Sequence, residues 1–127
     1  MNNFKFLNAN EYSSLVLAYV GDSVFELYVR SHIVGKANMP VNKLHKASSQ
    51  LVKAKAQSEM AEKLLPLLSE QELEIFKRGR NAHSYTSPKN ADIVDYRRAT
   101  GLEALIGYLF ITHNNERLDE IIKICLE

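Results

Sequence analysis

The chain holds one cysteine, Cys125, and no tryptophan. A lone cysteine excludes an internal disulfide and any zinc cage built from thiolates. The four histidines, His32, His45, His83 and His113, fall at no spacing that sets two of them on one helical face, so a histidine pair for a metal is missing too. Proline occurs three times and glycine five times in 127 residues, too seldom for a low-complexity or collagenous chain. No unit of roughly 20–50 residues repeats, which argues against a solenoid. The longest apolar stretch, Ala104 to Ile111, falls far short of the roughly 20 residues that span a bilayer. The amino-terminal "MNNFKFLNANEY" lacks the apolar core and cleavage pattern of a secretory signal. These absences lead to the expectation of a cytoplasmic protein without a membrane partner, folded as a single domain over residues 1–127.

Acidic residues are missing from two windows. Between Leu27 and Ser58 there is no Asp or Glu, while Arg30, Lys36, Lys43, Lys46, Lys53 and Lys55 all occur there. Between Ile75 and Ala91 the same holds, with Lys77, Arg78, Arg80 and Lys89. The net charge of +1 therefore conceals a segregation of sign. Solvated helix faces are one source of such blocks, although faces stabilised by i,i+4 pairs usually mix the signs. A polyanionic partner is the reading that explains the segregation. His45 and His83 lie within these windows, where exposure to solvent accounts for them without a further role.

What the chain has in abundance is helical periodicity. The spacing predicts an all-α domain. A long helix runs from about Glu11 to Val34, stopped by Gly35 acting past its end. Pro40 and Asn42 open a second, Lys43 to about Leu65, with Lys43, Lys46, Gln50 and Lys53 on one face and Leu44, Ala47 and Leu51 on the other. Ser69 and Glu72 form a capping-box pattern that starts a short helix, Glu70 to about Arg78. The segment "RGRNAHSYTSPKN" reads as a basic loop. Helices from about Asp92 to Thr112 and from Glu116 to Leu126 complete the chain.

Two residues break the pattern. Asp22 stands in "LVLAYVGDSVFELYV" and Glu103 in "TGLEALIGYLF", the two most apolar segments. Cores exclude carboxylates unless they are paired or bind a metal. Glu26 has a partner at hand, Arg30 one turn on, but Asp22 has no basic residue at three or four positions either way. Gly21, Gly101 and Gly107 each lower helix propensity by about 1 kcal/mol relative to alanine, which chains tolerate where a backbone, a ligand or a partner helix comes close. Spacing alone leaves two readings open: each acid meets an arginine across the core, or the two together hold a hard divalent cation.

The residues around these acids carry a resemblance. "YVGDSVFELYVRSHI" and "RATGLEALIGYLF" resemble the two signature stretches of the ribonuclease III catalytic domain, E-F-L-G-D-[SA]-V and D-x-x-E-A-L-[IW]-[GA]. "LHKASSQLVKAKAQSEMA" is similar to the helix between them, and "RGRNAHSYTSPKN" followed by "YRRATGLEALIGYLF" looks like the pattern of Mini-III, the compact branch of that family without a double-stranded-RNA-binding domain. The resemblance implies the ribonuclease III endonuclease-domain helical fold. It implies that Asp22 and Glu103 are catalytic and bind Mg²⁺, with Mn²⁺ as a substitute. It also implies a homodimer whose two sites each cut one strand of double-stranded RNA, with the base-paired stem of precursor large-subunit (23S) ribosomal RNA as substrate. The family's other two acids are replaced by Ala18 and Thr100, a reduced pair expected in the Mini-III branch. Lys43, Lys46, Lys53, Arg78, Arg80 and Lys89 are the candidates for contact with the RNA backbone. A protein that keeps the fold and binds RNA without cutting it is the alternative, favoured by Ala18 and Thr100 and opposed by the retention of both remaining acids.

Overall fold

The computed structural model describes residues 3–82 and 92–127. Among these there are six α-helices and no strand: α1 (Ser14–Lys36), α2 (Val41–Val52), α3 (Ala54–Leu64), α4 (Glu70–Asn81), α5 (Ile93–Ile111) and α6 (Asn115–Leu126). Single 3-10 turns precede α1 and follow α3. None of the described helices is long and apolar enough to cross a membrane.

α5 is the centre, because it is apolar nearly all round. Leu102, Ala104, Leu105 and Ile106 are completely buried, and α1, α3, α4 and α6 pack against the helix that carries them. α1 adds Phe25 and Val29, α3 adds Ala61 and Leu64, and α6 adds Leu118 and Ile121 to the same core. Full burial of side chains of this size stabilises by about 1.5–3 kcal/mol each. Polar ties set the outer helices in register. Arg117 of α6 grips Glu72 of α4 with two hydrogen bonds, at 2.8 Å and 2.9 Å, and donates a third to the Leu67 carbonyl at 3.0 Å. That contact, led by the guanidinium hydrogen bonds, holds the Glu72 carboxyl below its usual range. The Tyr28 hydroxyl donates to Asp119 at 2.6 Å and joins α1 to α6.

The predicted elements are present, with four differences. Ser13, accepting from the Val16 amide at 3.2 Å, starts α1 later than expected. Gly35 does not stop it: the helix runs on through Lys36, and no described glycine has a positive φ. Ala37, extended at φ −162° and ψ 146°, ends it instead. The expected second helix is two helices, because Lys53 is extended (φ −67°, ψ 154°) between α2 and α3. α4 continues past Arg78 through Gly79 to Asn81, so Arg78 and Arg80 are helical residues and not part of a loop. The capping box at Ser69 is present as predicted, with Ser69 accepting from the Glu72 amide and Glu72 accepting from the Ser69 amide. Where no glycine closes a helix, His113 takes the left-handed conformation (φ 58°), and the Asn114 amide reaches back to the Leu109 carbonyl at 2.9 Å.

Candidate active site

The site begins at a helix crossing made possible by two glycines. α1 and α5 run antiparallel, Leu17 against Gly107 and Gly21 against Glu103. A Cβ on Gly21 would overlap the Glu103 carbonyl oxygen and lie 2.8 Å from the Gly107 nitrogen. A Cβ on Gly107 would overlap the Leu17 carbonyl and lie 3.1 Å from the Gly21 nitrogen. Backbone therefore packs on backbone. The residue after Gly21 is Asp22, and Glu103 is itself the contact on α5, so this crossing brings the two carboxylates together.

Asp22 is exposed and Glu103 half-buried beside it. Burial, first, and then the adjacent Asp22 carboxylate push the Glu103 carboxyl up to about 8, partly offset by a hydrogen bond from Gln57. Among the described residues neither acid makes an ion pair. The possibility that each meets an arginine across the core is therefore excluded for those residues: Arg30 pairs with Glu26 at 2.9 Å, and Arg98 with Glu62 at 3.2 Å. Ala18 and Thr100, which stand where the family pattern has acids, are 7% and 9% exposed, and the Thr100 hydroxyl is spent on the Tyr96 carbonyl at 3.0 Å. No cluster of three or more potential metal-binding His, Cys, Asp or Glu exists among the described residues.

Gln57 is the site residue that sequence reading missed. It lies on α3, 2% exposed, and its Nε2 donates to the Val52 carbonyl at 2.8 Å and to Glu103 Oε2 at 3.4 Å. A signal existed: Gln57, Ala61 and Leu64 fall at the i, i+4, i+7 spacing of a buried stripe, with an amide where an apolar side chain would be usual.

The basic candidates divide. Lys43 and Lys46 are exposed on α2, whose opposite side turns Leu44, Ala47 and Leu51 to the core as expected. Lys53, at the break between α2 and α3, follows the residue whose carbonyl Gln57 holds, and its ammonium donates to Gln50 at 2.9 Å. Arg78 pairs with Glu74 and lines a recess with Ser13, Ser14 and Leu15 at the start of α1. Arg80, beside buried Gly79, donates to Asn81 at 3.2 Å. Lys89 lies outside the described residues.

The acid pair has a thermodynamic signature. In metal-free protein the folded state keeps a proton on Glu103 that the unfolded chain has released above about 4.5. Between that value and about 8, folded protein binds more protons than unfolded, so stability falls as pH rises, by at most about 1.4 kcal/mol per pH unit from this group. Urea titrations in EDTA at stepped pH are expected to show this decline, and Glu103→Gln is expected to flatten it. Equal slopes in the two proteins would contradict the coupling.

An all-helical fold that lifts two adjacent carboxylates to the edge of a backbone-on-backbone crossing defines the class, a ribonuclease III-type endoribonuclease: residues 15–114 match the Ribonuclease III domain. A crystal structure of a Fusobacterium nucleatum protein superimposes with a TM-score of 0.83 at 32% identity, covering 91% of this chain and 93% of that one. Mini-ribonuclease 3 of Clostridium tetani is 51% identical over 113 residues, 88% of this chain and 75% of the relative. Mini-ribonuclease 3 of Streptococcus pneumoniae is 42% identical over 123 residues, 95% and 96% of the two chains. The chain belongs to the ribonuclease III family, in its Mini-ribonuclease 3 branch.

Proposed function

We propose that this endoribonuclease cuts double-stranded RNA with a divalent cation held by Asp22 and Glu103. The observation that carries the reading is the pair itself: two adjacent carboxylates, one of them recessed, with no basic partner among the described residues. The donor set fits the group. Mg²⁺ is held by one or two carboxylates, waters and substrate phosphate oxygens, and this site offers two carboxylates with one face open to solvent. When bound, the cation supplies Lewis-acid stabilisation of phosphate charge and a more acidic water. The chain's own residues do the rest. Asp22 and Glu103 fix the position of that charge on a rigid helix crossing, and the basic candidates Lys43, Lys46 and Lys53 meet the phosphate backbone. A binding protein without catalysis would have no use for two adjacent acids facing a polyanion.

A-form RNA is recognised through its shape, its phosphates and its 2′-hydroxyls. The exposed α2 lysines suit that task. Replacing Lys43, Lys46 and Lys53 together with alanine is expected to weaken RNA binding and leave the fold unchanged. The salt dependence of affinity should fall by about one slope unit for each phosphate that is no longer neutralised. Fluorescence anisotropy across a salt series would measure this, and unaltered affinity would remove α2 from the RNA face.

The finer reading is that two copies act together on the base-paired stem of precursor large-subunit ribosomal RNA, as the family resemblance implies. The dimer draws support from α1, which exposes Tyr19 (80%) and Leu27 (49%) along a groove shared with Phe4, Val20 and Phe110. Gly21, by contrast, is used within the chain against α5. Sedimentation at micromolar concentration is expected to give a dimer; a monomer would rule out paired cuts. Cleavage of a long RNA duplex and of a ribosomal-precursor stem with Mg²⁺, beside an EDTA control, tests the activity. Tight binding without cutting under Mg²⁺ or Mn²⁺ would overturn it.

A further inference from the structure

The amide of Gln57 is used on one side only. Its nitrogen has two hydrogens, and both have acceptors: the last carbonyl of α2, Val52 O, at 2.8 Å and Glu103 Oε2 at 3.4 Å. Its oxygen, Oε1, is buried and has no partner among the described groups. Turning the amide over would not help, because the oxygen would then face the Val52 carbonyl, an acceptor, at the 2.8 Å where the nitrogen now donates. A buried amide oxygen left unpaired forfeits its hydration without return. Leucine or methionine at the same position of α3 would fill similar volume and avoid that penalty.

The unmet acceptor therefore stands one amide width from a nitrogen that holds a candidate metal-binding carboxylate. The Nε2 contact to Glu103, at 3.4 Å, is long for a hydrogen bond. We propose that Gln57 is a positioning residue of the acid pair: its nitrogen orients the Glu103 carboxylate, and its oxygen accepts a hydrogen bond from a water bound to the cation. The inference rests on the metal reading of Asp22 and Glu103. It also explains the break at Lys53, since the same amide satisfies the carbonyl that α2 leaves open there. One side chain thus ties the end of the basic helix to the carboxylates.

The test is calorimetric titration of Mn²⁺ alone into the wild type, Gln57→Leu and Asp22→Asn, with melting temperatures and steady-state cleavage recorded for each. Asp22→Asn separates the two ideas: if the wild type shows no Mn²⁺ binding that this variant removes, the metal reading fails and the Gln57 role with it. Given that binding, Gln57→Leu is expected to stay folded, although the Val52 carbonyl loses its partner, and to bind Mn²⁺ about 10–100-fold more weakly, the usual effect of removing a group that orients a ligand. Its kcat should fall while its KM for RNA stays put. A folded Gln57→Leu with wild-type Mn²⁺ affinity would overturn the proposal, because a merely structural glutamine would change the melting temperature and leave affinity alone. If the variant does not fold, the wild type decides. In ¹⁵N-labelled protein the Gln57 side-chain amide signals should move on Mg²⁺ addition with the midpoint of binding, and signals that stay fixed at saturation would reject it.

Discussion

Gly107→Ala is expected to open the α1–α5 crossing and to lower Tm by more than about 10 °C, or to prevent folding. Two effects of the substitution oppose each other. Alanine raises helix propensity by about 1 kcal/mol over glycine. Against that, the new methyl group would overlap the Leu17 carbonyl, which belongs to the backbone of a packed helix and has no rotamer to adopt. Overpacking of ordinary side chains destabilises by about 1–3 kcal/mol, and a clash that only separating two helices can relieve exceeds that range. A loss beyond about 3 kcal/mol is a large share of the roughly 5–15 kcal/mol that holds a domain together. Gly35→Ala is the control. A Cβ there meets nothing within 4 Å among the described residues, and Gly35 lies in the last turn of α1, so the same change is expected to stabilise by up to about 1 kcal/mol. Thermal melts of the two variants should therefore move in opposite directions, and a Gly107→Ala protein that melts with the wild type would mean that the two helices cross more loosely than this geometry requires.

That contrast also marks what the sequence could and could not convey. Ser69 and Glu72 announce a helix start because a capping box is local, complete within four residues. Asp22 and Glu103 stand out because a charge in an apolar helix needs a reason, whatever the fold. Glycine is different, since the same residue serves a turn or a close approach. Gly35 reads as a stop and Gly79 as loop punctuation, yet both are helical, and Gly79 lies where an added Cβ would come 2.8 Å from the Ala104 Cβ. Only the packing partner distinguishes these uses, and that partner is distant in the chain. The break at Lys53 has the same character. No proline or glycine marks it, and the Val52 carbonyl is taken up by the Gln57 amide within the fold. Gln57 shares the spacing of a buried stripe with Ala61 and Leu64, but glutamine is a good helix former usually found on surfaces, so that one signal is weak. What its amide faces is set only when α3 packs against α5.

Asp22→Asn is expected to slow cleavage of double-stranded RNA by on the order of 10³-fold or more, and Glu103→Gln to do the same. A bound cation stabilises developing phosphate charge by several kcal/mol, each tenfold in rate corresponds to about 1.4 kcal/mol, and in the proposed site Asp22 and Glu103 are the carboxylates that would hold it. Stability should move the other way. Without a cation the fold forces Glu103 into a recess beside a second carboxylate, and this raises its proton affinity to about 8. Either amide substitution removes that repulsion, so in EDTA, at a pH above the Glu103 transition, both variants should be at least as stable as the wild type. Mg²⁺ should then reverse the order, because a ligand that binds only the folded state adds about 2.7 kcal/mol at a hundred times its Kd, and only the wild type retains the full donor set. Activity and metal-free stability thus separate the two explanations of why an apolar helix carries an acid. Variants that lose both together would show that the carboxylates serve the fold. Variants that lose cutting and gain stability would show that the fold bears the strain of holding two like charges together because catalysis requires them.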